Sequence, residues 1–277
     1  MSRHVLVTGA RGKTGREVTD QLRDKPGVTV RAGSSDPSTI APAAGVEPTR
    51  FDWADRSSWA PALDGVDGVW LMRPDLSDAP ELVAELAGLA GNAHLVLLSE
   101  QGADTLAPDH WARRVEEAFV EAATAWTVLR PGWFHQVLTD SHFHYDEVKA
   151  GTLSLPDGGI AFIDARDIAA VAVAALLNPD EHRGSFLTLT GPAASTPTEI
   201  TAELSRQTGR TIVATDPPPL DPGTTPEERF MHDILEDLRA RVLSGGFGAV
   251  TPTMQQITGR PPRSIQDFIA AEADRWG

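Results

Sequence analysis

A glycine-punctuated loop between an apolar run and an amphipathic stretch places the strongest constraint on the fold. His4–Thr8 (HVLVT) is short and apolar, which predicts a buried strand. Gly9, Gly12 and Gly15 follow it, and Lys13–Arg23 has the residue spacing of a helix. A strand, a G-x-x-G-x-x-G loop and a helix in this order predict a binding site for the phosphates of a dinucleotide.

Each glycine of this loop has its own predicted task. Gly9 permits the tight turn, Gly12 leaves no Cβ between the backbone and a pyrophosphate, and Gly15 lets helix and strand pack closely. The first turn of the helix adds N–H groups and a partial positive charge. The loop is not a P-loop, because it lacks the spacing G-x-x-x-x-G-K-[ST]. A glycine-rich turn without a ligand is the weaker alternative.

The first half of the chain alternates apolar runs with amphipathic stretches. Strand candidates after the first are Val28–Ala32, Gly68–Met72, His94–Leu98 and Trp126–Leu129. Short connections through helices predict right-handed βαβ units and a parallel sheet that is covered on both faces. The predicted fold class is therefore α/β, a Rossmann-like doubly wound parallel sheet with a smaller, partly helical C-terminal substrate cap.

The second half is more irregular. Asp167–Leu177 is a strongly apolar helix candidate with Asp167 as its N-cap, and the spacing of Met231, Ile234, Leu235, Leu238 and Val242 predicts a long amphipathic helix. We expect the Rossmann domain to comprise residues 1–134 plus about 160–190, and the cap to comprise about 135–159 and 191–277.

Charge and composition exclude several partner classes. With 24 Lys plus Arg and 39 Asp plus Glu, the formal net charge is −15, which argues against nucleic acid and anionic membranes as partners. The chain has no Cys, so disulfides and thiolate chemistry are excluded. The first ten residues predict a strand rather than a signal peptide, and no apolar run has membrane-spanning length. We expect a cytoplasmic protein with a small-molecule substrate.

The end of the second strand bears on the choice of dinucleotide. NAD sites usually place an acid there, whereas this chain has Ser34 and Ser35. Arg11, Lys13 and Arg31 nearby in sequence would tolerate a 2′-phosphate. The prediction is NADP(H), with NAD(H) as the second choice. Asp52 is either an acceptor for the adenine amino group or the cap of the segment that follows.

A series of motifs then resembles one family in order. The glycine loop resembles the opening of NmrA-like proteins, which are atypical members of the short-chain dehydrogenase/reductase superfamily. Later landmarks are Leu97-Leu98-Ser99, Leu129–Phe134, Asp164–Ala169, Leu189–Pro192 and Thr258–Pro262. Gly12–Gly15 and Phe51-Asp52-Trp53 also resemble the branch of festuclavine-type and agroclavine-type dehydrogenases and of NAD(P)H:quinone oxidoreductases.

The resemblance implies which residues neighbour the cofactor. Besides Thr8, Gly9, Arg11, Gly12, Lys13, Thr14 and Gly15, they are Ser34, Ser35, Asp52, Trp53, Leu71, Met72, Arg73, Ser99, Glu100, Pro131, Trp133 and Phe134. Two positions depart from the family pattern. Many members carry an Arg for the 2′-phosphate where this chain has Ser35, and many repeat Ser where it has Glu100.

The ordinary catalytic pair of the superfamily is a Tyr-x-x-x-Lys on the helix before the strand that ends in Pro-Gly. That helix, about residues 108–122, contains neither Tyr nor Lys. Tyr145 and Lys149 match the string but follow Pro131, so we interpret them as a chance match. Tyr145 and His135 nevertheless remain the two candidate proton donors. A metal pair of His142 and His144 has no further ligand pattern to support it, and no metal is predicted.

Three functions remain open at this stage. The first is an NAD(P)H-dependent reductase that transfers hydride to a quinone, an imine or iminium ion, or an enone. For such acceptors the alignment of the reactants carries most of the catalysis, with Trp133 and Phe134 as a stacking wall. The second is a non-catalytic NAD(P)-sensing regulator, and the third is a non-redox cyclase or isomerase on the same fold.

Overall fold

The computed structural model describes residues 2–277 and divides into two compact units. The sheet unit is the chain up to Arg130 together with Ile168–Leu187. The second unit is Pro131–Asp167 together with Thr188–Gly277. No helix among residues 2–277 has both the length and the apolar character that a membrane crossing requires.

Seven strands form the central sheet. They are β1 (Arg3–Val7), β2 (Val28–Ser34), β3 (Val46–Arg50), β4 (Gly68–Met72), β5 (His94–Leu98), β6 (Ala125–Pro131) and β8 (Ser185–Leu189). Their order is β3-β2-β1-β4-β5-β6-β8, and every pairing from β3 through β6 is parallel. The predicted Rossmann-like sheet is therefore confirmed. The chain reverses its direction of travel across the sheet between β1 and β4, which is the topological switch point where such folds bind ligands.

The central strands are apolar because both of their faces are covered. All five residues of β5 and the first four of β4 are buried, as expected for the middle of a parallel sheet. The covering helices are α1 (Lys13–Arg23), α2 (Trp59–Leu63), α3 (Ala79–Leu89), α4 (Trp111–Ala122) and α6 (Ala165–Leu177). One core cluster joins Leu6, Leu71 and Leu97 of the strands to Leu82 of α3 and Phe119 of α4.

The helix predicted over Asp167–Leu177 begins two residues earlier. The carboxylate of Asp164 accepts a hydrogen bond from the backbone N–H of Arg166 at 2.8 Å, so Asp164 takes the capping task. Asp167 is not the N-cap that the sequence suggested, because it lies within the first turn of α6.

The second unit has its own core. Its elements are α5 (Tyr145–Ala150), β7 (Thr152–Ser154), α8 (Pro197–Thr208), β9 (Val213–Thr215), α9 (Pro226–Leu243), α10 (Thr253–Thr258) and α11 (Ile265–Glu272); α7 (Pro179–His182) belongs to the sheet unit. Strands β7 and β9 pair in parallel. Phe162, Phe247, Phe268 and Trp276 are buried together in this core. The long helix α9 forms as predicted, but Val242 is its only buried residue.

Candidate functional site

The glycine loop lies at the carboxyl end of β1, and its three glycines differ in what surrounds them. Gly9 has φ +63°, so a side chain there would be strained, and an added Cβ would lie 2.2 Å from Cε of Met72. A Cβ on Gly15 would lie 2.1 Å from the carbonyl oxygen of Gly9. At Gly12 the nearest protein atom would be that same oxygen at 3.2 Å, a much less severe approach than at Gly9 or Gly15. Gly12 is therefore the glycine of the loop where an added Cβ meets the least obstruction.

The first turn of helix α1, which begins at this loop, has the features of an anion-binding site. Its N-cap residue is Gly12, in extended conformation, and among the described residues no side chain caps its first turn. The first turn also lacks an acidic residue. Backbone N–H groups and the positive end of the helix dipole therefore remain for a ligand. This cradle of uncapped N–H groups and a Cβ-free approach fits a dinucleotide pyrophosphate.

Thr8 and Met72 join the loop to β4. The Thr8 hydroxyl donates to the Trp70 carbonyl at 3.1 Å and accepts from the Met72 N–H at 2.8 Å. Thr8 is fully buried, so its side chain fixes the end of β1 rather than facing a ligand. Leu71 is likewise buried in the sheet core, so only its backbone is available to a cofactor.

Two arginines, one from the end of β3 and one from the glycine loop, lie near the segment that follows β2. Arg50 donates to the Ser35 carbonyl at 3.0 Å and pairs with Asp55 at 3.1 Å. Arg11 donates to the Thr39 hydroxyl at 3.1 Å. Hydrogen bonds from Ser38 lower the pKa of Asp36, and the charges of Arg11 and Arg50 lower it further. Two cations therefore lie at the strand end where a dinucleotide ribose is expected.

The residues predicted around the adenosine half have mixed placements. Ser34 is buried and exchanges hydrogen bonds with the backbone of Asp36. Arg31, expected near a 2′-phosphate, instead donates to the backbone carbonyls of Ala62 and Asp64, which corrects that expectation. The Asp52 carboxylate accepts from the Ala54 N–H at 3.0 Å and so serves as a turn cap.

Trp53 belongs to an aromatic group behind β3. Its ring meets those of Phe51 and Trp59 edge-to-face, with centroid distances of 5.2 and 5.4 Å. Such contacts stabilise the segment after β3 and leave Trp53 half-buried.

The ends of β4 and β5 carry an ion pair. Arg73 and Glu100 meet at 2.6 Å, and their side chains are only 12% and 16% exposed. The Arg73 guanidinium also lies 4.5 Å from the centroid of the Trp111 ring. The carboxylate of Glu100 is thus held by a cation, which favours its ionised form and disfavours its use as a proton donor.

A second buried network begins at Ser99, directly after β5. The Ser99 hydroxyl lies 2.5 Å from Oε1 of Glu116 on α4. Arg130 of β6 donates to the same carboxylate, with its shortest contact at 2.5 Å, and also pairs with Asp104 at 2.8 Å. Burial alone would lower the pKa of Arg130, but its bonds to Glu116 and Asp104 raise it above the ordinary value. The helix that should bear a Tyr/Lys pair presents a buried carboxylate instead.

In the second unit His135 is fully buried. Its Nε2 lies 3.1 Å from the Phe162 carbonyl oxygen and therefore donates to it, and its Nδ1 lies 3.7 Å from Oδ2 of Asp164. Burial would raise the pKa of Asp164, but His135 and Arg166 hold it well below its usual range. These contacts tie His135 into the fold and argue against a role for it as a proton donor to substrate.

Tyr145 and Lys149 share the six-residue helix α5. The Tyr145 hydroxyl donates to the Arg275 carbonyl at 3.2 Å, and Nζ of Lys149 lies 5.5 Å from the centroid of the tyrosine ring. His142 is 89% exposed and pairs with Asp140, whereas His144 pairs with Glu147. Within residues 2–277 no group of three or more His, Asp and Glu side chains is arranged to hold a metal ion.

The remaining predicted contacts lie where β6 ends. Trp133 meets Phe162 and Phe247 edge-to-face at 6.2 and 6.0 Å, so its ring packs into the core of the second unit. Phe134 is half-buried and pairs through its backbone with Ile163, and Pro131 is buried. The interpretation of Trp133 as a core residue thus has contacts to support it, whereas its use as a stacking wall stays a prediction.

Sequence reasoning missed Glu116 and Arg50. Glu116 had a detectable pattern, because it shares its helix face with Ala112, Val115 and Phe119, all of which are buried. A charged residue at a core-facing position needs a buried partner. Arg50 had no comparable pattern, since only strand pairing brings it to Ser35.

Comparisons with known proteins identify the family of the chain. A family model described as NAD(P)H-binding matches residues 9–179. A (4-alkanoyl-5-oxo-2,5-dihydrofuran-3-yl)methyl phosphate reductase of Streptomyces griseus is 34% identical, covering 98% of this chain and 99% of that protein. An NAD(P)H azoreductase of Xenophilus azovorans is 31% identical, covering 99% of each.

More distant matches concern the predicted resemblance and the fold. An agroclavine dehydrogenase of Claviceps fusiformis is 28% identical over 98% of each chain, in line with the predicted branch. The solved structure of an NADPH-dependent quinone oxidoreductase from Escherichia coli superposes with a TM-score of 0.79 at 24% identity, covering 96% of this chain and 99% of that one. The resemblance to NmrA-like proteins is thereby confirmed.

Proposed function

The chain belongs to the NAD(P)H-binding family and is an NAD(P)H-dependent oxidoreductase, and from this premise we propose its coenzyme preference and acceptor class. The coenzyme is NADPH. The acceptor is a small conjugated organic molecule, namely a quinone, an imine or iminium ion, or an enone. Nicotinamide supplies the hydride, and this chain binds and orients the reactants.

The observation that carries the acceptor class is the composition of α4. An ordinary carbonyl reductase of this superfamily donates a proton from a Tyr that a Lys assists, whereas α4 has neither residue and carries Glu116 paired with Arg130. Acceptors whose π system spreads the incoming charge do not need a strong acid at the reacting atom. Correct alignment of donor and acceptor can itself lower the barrier by about 7–11 kcal/mol.

The named activities of the relatives support the same class. The Streptomyces griseus enzyme is named for an oxo-dihydrofuran, and the Xenophilus azovorans enzyme for the azo group. The 5-oxo-2,5-dihydrofuran ring contains a C=C bond and a carbonyl group, and the azo group is an N=N double bond, so both names denote groups with a π bond that can accept hydride. The acceptor of this chain is proposed from that shared chemistry and not from either compound.

The preference for NADPH is supported by Arg11 and Arg50. Arg50 donates to the Ser35 carbonyl, and the charge of Arg11 acts on the neighbouring Asp36, at the strand end that faces the adenosine ribose in this fold. Guanidinium groups bind phosphate through charge-assisted hydrogen bonds. We infer that they bind the 2′-phosphate in place of the arginine that the family resemblance implies at the position of Ser35.

The acceptor class is tested by coenzyme oxidation with a matched panel. NADPH should be consumed with at least one of menadione, a cyclic iminium ion or a cyclic enone, and not with a saturated ketone of similar size. Equal or greater turnover of the saturated ketone would contradict the proposal. Binding of NADPH without turnover of any member would favour the regulator instead.

The coenzyme preference is tested by calorimetry on Arg50→Gln. Loss of one phosphate contact should weaken NADPH binding about tenfold and leave NADH binding unchanged. Arg56→Gln is the matched control, because Arg56 has the same 56% exposure and pairs with Glu85 rather than lying at Ser35. Equal weakening of both coenzymes by Arg50→Gln would refute the assignment.

A further inference from the structure

The buried network at Ser99 fixes where the hydroxyl proton of this serine points. Glu116 is 4% exposed and receives three contacts of 3.1 Å or less from Nε and Nη2 of Arg130. An arginine is always charged, and a bidentate guanidinium holds its partner carboxylate in the ionised state. An ionised carboxylate only accepts hydrogen bonds, so Glu116 has no proton to give.

Counting protons settles the state of Ser99. Its hydroxyl carries one proton, and its oxygen lies 2.5 Å from Oε1 of Glu116, so the proton lies in that bond. Its backbone N–H is used on the carbonyl of Leu129 at 2.8 Å. What Ser99 still offers to a ligand is therefore the acceptor capacity of its oxygen, and Ser99 has no donor left.

The place of Ser99 in the sheet identifies the part of the ligand that it meets. The glycine loop follows β1, Arg50 ends β3 on one side, and Ser99 follows β5 on the other side. A dinucleotide bound across this edge with its adenosine toward β2 and β3 extends its nicotinamide half toward β4 and β5. Ser99 is two strand spacings, about 10 Å, from the strand that carries the pyrophosphate loop.

We propose that Ser99 accepts a hydrogen bond from the carboxamide N–H of the nicotinamide, and that Glu116 and Arg130 are positioning residues that hold Ser99 in this acceptor state. The inference rests on the proposed coenzyme-dependent function. It also assigns a chemical limit to the site. Ser99 cannot supply the proton that a quinone or an enone takes up after hydride transfer, so for those acceptors this proton comes from water or from another group; an iminium ion needs none.

An analogue of the coenzyme isolates this hydrogen bond. Reduced 3-acetylpyridine adenine dinucleotide phosphate keeps the carbonyl of the carboxamide but has a methyl group in place of its NH₂. One neutral hydrogen bond corresponds to about a threefold to tenfold difference in affinity. The unaltered protein should therefore bind NADPH that much more tightly than the analogue, as measured by calorimetry.

Two variants should change this ratio of affinities in different ways. In Ser99→Ala the acceptor is gone, so both coenzymes should bind with equal affinity. In Glu116→Gln the new amide can donate to Ser99, which frees the serine proton for the carbonyl of either coenzyme, so the ratio should fall to one or below. A role confined to folding would weaken both coenzymes equally and keep the ratio. Ser205→Ala, which removes a hydroxyl from the second unit, is the control and should keep the ratio.

The outcomes separate this inference from the function on which it rests. If neither coenzyme binds the unaltered protein, the proposed function fails. If both bind it equally, or if Ser99→Ala retains the full preference for NADPH, only the role of Ser99 is overturned. Should Glu116→Gln fail to fold, Ser99→Ala alone decides the question.

Discussion

The two units differ in what the residues of their conspicuous sequence motifs contact. In the sheet unit the first turn of α1 has no side-chain cap, and the atoms nearest to an added Cβ at Gly12 belong to Gly9 and Met72 of the same unit. In the second unit the motif residues satisfy one another, because the buried carboxylate of Asp167 pairs with Arg260 at 2.8 Å and with Arg263 at 2.6 Å. Two motifs that are equally prominent in the sequence therefore serve different purposes. We attribute the glycine loop to the proposed coenzyme, and the Asp167 cluster to the stability of the fold.

The largest expected effect is on coenzyme binding, when a side chain is introduced into the glycine loop. Gly12→Glu places a bulky anion where the pyrophosphate approaches, and we expect NADPH affinity to fall more than about 1,000-fold, which corresponds to about 4 kcal/mol. Since φ at Gly12 is −73°, the backbone itself accepts a side chain and the fold should persist. Calorimetry measures the affinity, and circular dichroism checks the fold.

Gly88→Glu is the matched control for this variant. Gly88 lies in α3, is exposed and has no atom within 4 Å of an added Cβ. It should bind NADPH normally. A Gly12→Glu protein with unchanged affinity would remove the glycine loop from the site and break the contrast between the units.

A variant of the Asp167 cluster should instead lower the stability of the protein and leave coenzyme affinity unchanged. Asp167→Asn removes a fully buried negative charge that pairs with two arginines. It also weakens the 2.7 Å hydrogen bond that the carboxylate accepts from the Arg263 N–H. We therefore expect the free energy of unfolding to fall by about 3 kcal/mol. NADPH affinity should stay within about twofold, because the cluster serves the fold. Urea unfolding gives the first quantity and calorimetry the second. The exposed Asp274→Asn should change neither, and a selective loss of affinity in Asp167→Asn would show that this motif also serves the ligand.

The same contrast explains how much of the fold could be predicted. In the sheet unit β4, β5 and α1 have the predicted bounds, because buried strands are apolar throughout and α1 alternates faces with helical spacing. In the second unit α9 formed as predicted, yet Met231 and Leu235 are 36% and 38% exposed. Spacing determines that a helix can form but not what covers it.

The site divides along similar lines. The glycine loop is local, so the short sequence from β1 to the start of α1 was enough to predict its backbone. Arg31 and Arg50 are equally basic in sequence, but the pairing of β2 with β3 takes Arg50 to Ser35, whereas Arg31 binds the loop after α2. The burial of His135 depends on contacts with Phe162 and Asp164, more than twenty residues away, which no local pattern encodes.

Acid titration offers a smaller test of the sheet unit away from its ligand edge. Burial, followed by the charges of Arg183 and Arg3, lowers the pKa of His94 to about 4. The unfolded chain gains this proton near pH 6.5 and the folded one only near pH 4, so this residue's contribution is complete above pH 6.5 and is lost as the pH falls between those values. We expect the loss to reach up to about 2 kcal/mol.

His94→Gln isolates this contribution. Thr127 donates to the His182 carbonyl and so accepts from Nε2 of His94, and a glutamine amide can replace that donor without titrating. The variant should lose less stability than the unaltered protein between pH 6.5 and pH 4 in urea unfolding. Identical slopes for both proteins would mean that His94 titrates in the folded state as it does in the unfolded chain.

The smallest effect is expected at Tyr145 and Lys149, which match the Tyr-x-x-x-Lys pattern but lie in the second unit. Tyr145→Phe removes one exposed hydrogen bond, from the tyrosine hydroxyl to the Arg275 carbonyl, which should lower the free energy of unfolding by less than about 1 kcal/mol. Turnover of the acceptor should stay within about twofold, because this hydroxyl proton is already donated within the second unit. Lys149→Met should likewise leave turnover unchanged, since Nζ lies over the tyrosine ring rather than at its oxygen. A loss of turnover above about 100-fold in Tyr145→Phe, with NADPH affinity intact, would make Tyr145 the proton donor. The second unit would then contribute a catalytic group, and its conspicuous motifs could no longer be explained by the stability of the fold alone.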